Sequence, residues 1–490
     1  MIRIRPALRA LAAPLLACLL AGCGSGSGSR AGGETVPPAP TAGAVAVWAS
    51  SSDATRKLSR QADLALGEAA APASTDLVVD PARQDQEIVG YGAAMTDASA
   101  QLFQTTLNRA QRDELFAELF GRQGQGLGLS FVRVPIGASD FSTRHYSLDD
   151  MPRGQSDPAL AKFSMAGAEA AQLPALRAAR AVNPELTLMA SPWSAPGWMK
   201  DTDSLIKGRL KPEHYGAFAA YFVRYLDVMA AGGLPVRYVT AQNEPDFEPE
   251  NYPGMRLNAP ERARFIGAHL GPALAARSQP VGILDWDHNW DKPNEPLTVL
   301  ADPVAARQVT GIAWHCYAGD VQAMGQVRQA HPDKEVFFTE CSGGGWAPEW
   351  GKTLGWMIDN LVIAPSRAGS RGSILWNLAL DQNSGPHLGG CGNCRGVVTI
   401  DTVTRSVTRN VEYYVLGHVS RFVRPGARAI TSQGGPAGMT HAAFRNRDGS
   451  LVLLVHNAGT AEARLKVRSG SKTFAVTAPA GEVMTLVWSG

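Results

Sequence analysis

The sequence predicts an α/β protein: a (β/α)8 TIM barrel with an attached antiparallel β-sandwich built from N- and C-terminal strands. Three observations predict it. Between about residues 86 and 401, eight short apolar runs alternate with amphipathic stretches. After about Thr402 the pattern changes to short strands bounded by Gly, Asn and Ser. Residues 45–85 are strand-like but supply no partner of their own, so they are expected to join the C-terminal sheet. A doubly wound sheet is the alternative for the central region.

In chain order, the first strands read Ala44-Val45-Ala46-Val47-Trp48 and Asp76-Leu77-Val78-Val79-Asp80. The barrel runs begin near Ile88-Val89-Gly90-Tyr91-Gly92 and continue with Gly128 to Val134, Leu186 to Ser191, Tyr238 to Gln242 and Val281 to Leu284. Gly311 to His315, Val336 to Thr339 and Ser373 to Trp376 complete them. Such continuous apolar, β-branched or aromatic runs mark strands buried on both faces. Between them, Tyr215, Phe218, Ala219, Phe222 and Leu226 fall at helical spacing within Pro212 to Ala230. The C-terminal strands are Leu451 to Val455, Leu465 to Val467 and Val483 to Trp488.

The N-terminus reads as a signal for export. Arg3, Arg5 and Arg9 precede an apolar run from Ala10 to Leu20, too short to span a bilayer comfortably. The run ends in Leu20-Ala21-Gly22-Cys23, which resembles a bacterial lipoprotein box, so residues 1–23 are expected to be a lipoprotein signal with Cys23 the lipidated residue. Residues 24–44 are Gly, Ser, Pro and Ala with few large apolar side chains and read as a flexible tether. The expected location is the bacterial cell envelope, held to a membrane by the lipid alone; ordinary cleavage would instead leave a secreted protein.

Cys316, Cys341, Cys391 and Cys394 remain in the exported chain. Cys391-Gly392-Asn393-Cys394 reads as a local disulfide, because no second Cys/His pair has zinc spacing. Cys316 and Cys341 each follow a strand; buried thiols are favoured over a second disulfide.

Composition narrows function by exclusion. The net charge is +2, and no segment clusters Lys and Arg with aromatics, so nucleic acid is not an expected partner. The 11 Trp offer indole faces on which sugar rings pack. No Gly-x-Ser-x-Gly elbow is present, and Gly351-Lys352-Thr353 lacks the first glycine of a phosphate loop because position 346 is Trp346. No cofactor, metal or protein partner is inferred.

Barrel enzymes gather their reactive groups at the C-terminal strand ends. Those ends supply Arg133, Asp140, Trp193, Asn243, Glu244, Asp285, His315, Tyr317, Glu340 and Trp376. His315 is the lone histidine of that set, which therefore lacks a two-histidine metal pattern. Glu244 ends the segment Val239-Thr240-Ala241-Gln242-Asn243-Glu244-Pro245, and Glu340 ends Val336-Phe337-Phe338-Thr339-Glu340. Two acids from the fourth and seventh strands would share one rim. Glycoside cleavage needs such a pair, one to protonate the leaving oxygen and one to act at the anomeric carbon. Glu244 suits the acid, with Asn243 beside it to bond a sugar hydroxyl. Glu340 suits the nucleophile, with Arg133 on the barrel floor keeping it ionised while the pKa of the acid is held higher. Asp285 and His288 are either substrate contacts or a surface turn.

The chain resembles glycoside hydrolase family 30, which includes lysosomal glucosylceramidase and many bacterial enzymes. The resemblance rests on Gly90-Tyr91-Gly92-Ala93-Ala94-Met95-Thr96-Asp97, Phe131-Val132-Arg133-Val134-Pro135-Ile136 and Ser139-Asp140-Phe141-Ser142. It continues through Ala190-Ser191-Pro192-Trp193-Ser194-Ala195-Pro196-Gly197-Trp198-Met199-Lys200, Thr240 to Pro245, His315-Cys316-Tyr317, Thr339-Glu340 and Trp376-Asn377-Leu378-Ala379-Leu380. It implies a retaining β-glycosidase with Glu244 as acid/base and Glu340 as nucleophile. It further implies that Asp140, Trp193, Asn243 and Trp376 line the glycone subsite, with His315 and Tyr317 close to the nucleophile. Tyr91 and Ala93-Ala94 depart from the usual first motif, and the loop from Asp246 to Tyr252 differs from the human lysosomal enzyme on the aglycone side. That loop gives no warrant for a ceramide leaving group; the resemblance implies β-glucosides, in a carbohydrate or a glycoconjugate, as the expected substrates. Endo-β-1,6-glucanase is the enzymatic alternative, and a carbohydrate-binding lipoprotein without catalysis is the alternative of another class.

Overall fold

The computed structural model describes residues 43–69 and 73–490. The expected lipoprotein signal, Cys23 and most of the expected tether lie outside the described residues.

Eight parallel strands form the barrel: Gly90–Ala93, Phe131–Ile136, Thr187–Pro192, Val236–Thr240, Gly282–Asn289, Val309–His315, Glu335–Glu340 and Ser370–Leu375. The ladder runs continuously from the second strand round to the first through the eighth. The first and second strands close the ring through single bonds, from Ser130 N to Tyr91 O at 3.0 Å and from Met95 N to Arg133 O at 2.9 Å. They approach so closely there that a Cβ on Gly92 would strike the Phe131 carbonyl, which explains the glycine.

One residue from each strand or its start fills the barrel interior: Val89, Phe131, Met189, Tyr238, Leu284, Ala313, Phe337 and Ile374. This packed layer is a floor, so chemistry is confined to the C-terminal rim above it. Helices cover the outside. Tyr215–Ala231 buries Tyr215, Phe218, Ala219, Phe222 and Leu226 at the spacing the sequence predicted.

The sandwich draws on both ends of the chain. Ala44–Ser50 pairs antiparallel with Val483–Ser489, and Leu77–Glu87 lies between Arg428–Gly434 and Ala463–Ser469. Strand alternation explains why the first run is apolar throughout. Val45, Val47 and Ala49 face the sandwich core, while Ala46 and Trp48 join the core shared with the barrel helices. Trp48 packs on Phe422, with ring centroids 4.5 Å apart. In the same seam His418, from helix Val411–Ser420, bonds Ser50 at 2.8 Å and Thr485 at 2.9 Å, and burial depresses its pKa to about 3.

The expectation of buried thiols at Cys316 and Cys341 is corrected: the two form a disulfide. They follow the sixth and seventh strands, which are adjacent and in parallel register, so both residues leave the barrel side by side with Cα atoms 5.4 Å apart. Cys391 and Cys394 form a second disulfide.

Candidate active site

The rim builds its site around a buried carboxylate, Asp287. It accepts hydrogen bonds from Arg133 at 2.6 Å, Thr240 at 2.8 Å, Ser191 at 2.9 Å and Thr339 at 2.8 Å, and it contacts His315 Nε2 at 3.0 Å. A carboxylate with this many donors stays ionised. Burial opposes its charge, but Arg133 and His315 outweigh burial and hold it well below the ordinary carboxylate range.

Each donor ties Asp287 to a neighbouring strand end. Arg133, from the second strand, also binds Glu340 and donates to Asn243 at 2.8 Å. Tyr317 donates to the other Glu340 oxygen at 2.9 Å. Both oxygens of Glu340 thus accept from donors, the arrangement of a carboxylate. Burial pushes its carboxyl up, opposed by the positive charges of His315 and Arg133.

Glu244 sits in the turn after the fourth strand with φ +46°, a left-handed conformation that side-chain-bearing residues rarely adopt. Its amide donates to the Asp287 carbonyl at 3.0 Å, which anchors that turn. His315 Nδ1 lies 3.1 Å from Glu244 Oε1 and 3.9 Å from Glu340 Oε1, so the two facing oxygens are within about 7 Å of each other.

The electrostatics differ from the sequence expectation of a raised acid. Burial raises Glu244, but the bonds and charges of His288 and His315 outweigh it and hold the carboxyl below its usual range. His315 correspondingly rises to about 9: burial alone would lower it, but Glu340, Asp287 and Glu244 surround it. Both directions favour an ion pair across the 3.1 Å contact, with the proton on His315 and the charge on Glu244.

Above the two glutamates lies a cavity of about 650 Å³. Trp193 and Trp376 stack in it at 5.0 Å and 22°, and the Arg133 guanidinium lies 4.9 Å from the Trp193 ring. Asp140 lines it too, with Oδ1 buried and lacking a hydrogen-bond partner. Burial, reinforced by Glu340 and Glu244, pushes Asp140 up to about 8. Asn243, Tyr252, His288 and Tyr317 complete the inner wall, with Phe247 and Trp346 exposed at the mouth.

The structure thus brings Asp140, Trp193, Asn243, Glu244, Tyr317, Glu340 and Trp376 to one cavity. Arg133 and His315 are fully buried and act on the glutamates from beneath and behind. Asp285 is not at the site: it faces the helical layer and pairs with Arg262 at 2.9 Å. Asp285 follows Leu284, which fills the barrel interior, so alternation turns it outward, and a bulge comes after it. Opposite the sixth strand, Ala313 pairs with Trp286 and Trp314 with His288, which leaves Asp287 as the extra residue, and Trp286 and Asp287 have φ of +74° and +50°. The bulge interrupts the alternation, turning Trp286 outward and Asp287 inward. His288 lies at the rim as well, where it joins Glu244 and His315 in a two-histidine, one-carboxylate cluster absent from the sequence reading.

Two family models match the chain: the glycosyl hydrolase family 30 TIM-barrel domain over residues 88–423 and the family 30 beta sandwich domain over residues 426–486. The chain belongs to glycoside hydrolase family 30. It is a glycoside hydrolase, and its barrel-plus-sandwich architecture is that of the family. Among family 30 proteins, it is 34% identical to endo-1,6-beta-D-glucanase neg1 of Aspergillus fumigatus over 430 residues, 82% of this chain and 85% of that one. It is 32% identical to an endo-1,6-beta-D-glucanase of Neurospora crassa, over 90% of this chain and 92% of that one. Lysosomal acid glucosylceramidase of Mus musculus is 30% identical over 84% and 83%. The solved structure of the endo-beta1,6-glucanase BT3312 superposes with a TM-score of 0.84 at 30% identity, over 91% of this chain and all of that one.

Proposed function

We propose that this family 30 enzyme is an exported endo-β-1,6-glucanase that acts with retention of configuration. The observation that carries the mechanism is that Glu244 Oε1 and Glu340 Oε1 both approach His315 Nδ1, which puts them within about 7 Å of each other. A separation of that order accommodates the roughly 5–5.5 Å of retaining pairs, which supports retention.

In the first step Glu340 Oε1 attacks the anomeric carbon, and the glycosidic oxygen leaves with a proton from Glu244. Tyr317 and Arg133 orient the attacking carboxylate. Moving the proton from His315 to Glu244 converts an ion pair into a neutral pair without changing the proton count. Glu244 then takes a proton from water, which displaces Glu340 from the sugar and returns the site to its starting state.

The substrate reading rests on the endo-1,6-glucanase relatives and on the shape of the cleft. Tyr317 and Trp346 are shared with a second, apolar cavity of about 590 Å³ that runs past Trp356. Trp346 and Trp356 are 55% and 47% exposed, so their indoles are open to solvent along these cavities, where further sugar rings would stack. Such a groove suits cleavage within a chain. Digestion of linear β-1,6-glucan tests the reading. Early release of oligosaccharides supports it, whereas glucose alone, or activity confined to aryl glucosides or glucosylceramide, refutes it.

Export and lipid anchoring at Cys23 are supported by the Leu20-Ala21-Gly22-Cys23 motif and by the disulfides, which persist in oxidising compartments. No helix among the described residues is long and apolar enough to cross a membrane. Cys23→Ser is expected to release the protein from the membrane fraction; unchanged fractionation would refute anchoring.

A further inference from the structure

We infer that Glu244, His288 and His315 form a binding site for Zn²⁺ or a similar transition-metal ion, and that occupancy inhibits the enzyme. The three ligand atoms all lie within 4.8 Å of one another. Glu244 Oε1 is 3.1 Å from His315 Nδ1 and 3.4 Å from His288 Nδ1. Zinc bonds of about 2.0–2.2 Å in a tetrahedron set neighbouring ligand atoms about 3.3 Å apart, so two edges already have the required length.

The surroundings are those of a metal site. His288 is 9% exposed, and its buried Nδ1 faces Glu244 Oε1 at 3.4 Å. His315 turns its Nε2 to Asp287 at 3.0 Å, which orients the ring and leaves Nδ1 for the ion. A carboxylate behind a ligating imidazole is the usual outer support of a bound metal. Two imidazole nitrogens favour zinc, copper or nickel over magnesium or calcium. Glu244 and His288 both line the cavity, which leaves a fourth position for water.

Binding would replace the proton between His315 and Glu244 with the cation and release that proton to solvent. Glu244 Oε1 would then be committed to the metal and unable to protonate a leaving oxygen. The inhibition rests on the acid/base role proposed for Glu244; the binding does not.

Calorimetric titration of chelator-treated protein with ZnCl2, beside hydrolysis of an aryl β-glucoside, tests the site. One equivalent is expected to bind. His288→Ala and Glu244→Gln should each weaken binding at least tenfold, and wild-type inhibition should track occupancy and reverse with chelator. Absence of binding, or affinity unchanged in both variants, would overturn the site. Zinc bound through these residues without inhibition would overturn its blocking role. A protein inactive on every glycoside would still be judged by calorimetry, so failure of the glucanase reading is distinguishable from failure of the site.

Discussion

At the residue scale, Asp287 organises the rim through Arg133, His315 and three hydroxyls. Asp287→Asn places an amide among these donors and breaks a buried ion pair, which costs about 3–5 kcal/mol. The expected result is a kcat about 100-fold lower with a much smaller change in KM, because the displaced groups orient the glutamates rather than hold the sugar. Glu340→Gln should lose on the order of 10⁴-fold in turnover. Glu244→Ala should regain activity with azide on substrates with good leaving groups, and azide without effect would count against its role. His315 also predicts a pH dependence. Its folded pKa is raised to about 9, so its stabilising charge is fully present below the unfolded value of 6.5 and is lost as pH rises through about 9. Melting temperature should therefore fall more between pH 6 and pH 10 in the wild type than in His315→Gln; equal slopes would exclude this assignment. The glutamates, the tryptophans and Arg133 were legible in the sequence because strand-end position and residue type coincide. Asp287 was not, since alternation from Leu284 points Trp286 and His288 inward and nothing local announces the bulge that selects Asp287.

At the element scale, the apolar runs located all eight strands, though the fifth was read as ending at Leu284 and extends to Asn289. Charged and polar residues from Asp285 onward hid that extension, because Asp285 and Asp287 are paired with Arg262 and His315, partners that only the fold supplies. The disulfide between the ends of the sixth and seventh strands escaped for a related reason: their adjacency follows from barrel order, not from the sequence separation of 25. It links Cys316, next to both His315 and Tyr317, with Cys341, next to Glu340. Replacing both cysteines with Ser should cost about 2–4 kcal/mol, read from denaturant unfolding. The aromatic groove belongs to this scale as well. Trp356→Ala should lower kcat/KM on β-1,6-glucan about tenfold and leave an aryl glucoside, too short to reach it, unaffected.

At the scale of the whole molecule, the sandwich depends on a strand that begins 46 positions before the barrel. Trp48 belongs to the core shared by both halves and buries an indole against Phe422. Trp48→Ala should destabilise the protein by about 3–5 kcal/mol, and a fragment starting at Ile88 should bind hydrophobic dyes or aggregate. The sandwich was legible because both of its ends lacked partners; which strands lie side by side was not, because pairing between distant segments leaves no local mark.

The central claim is retaining cleavage within a β-1,6-glucan by Glu340 and Glu244. Proton NMR of the first minutes of digestion of linear β-1,6-glucan tests it most directly. The mechanism predicts new reducing ends on oligosaccharides that appear first as the β-anomer and mutarotate afterwards. First appearance of the α-anomer, or of no new reducing ends, would contradict it.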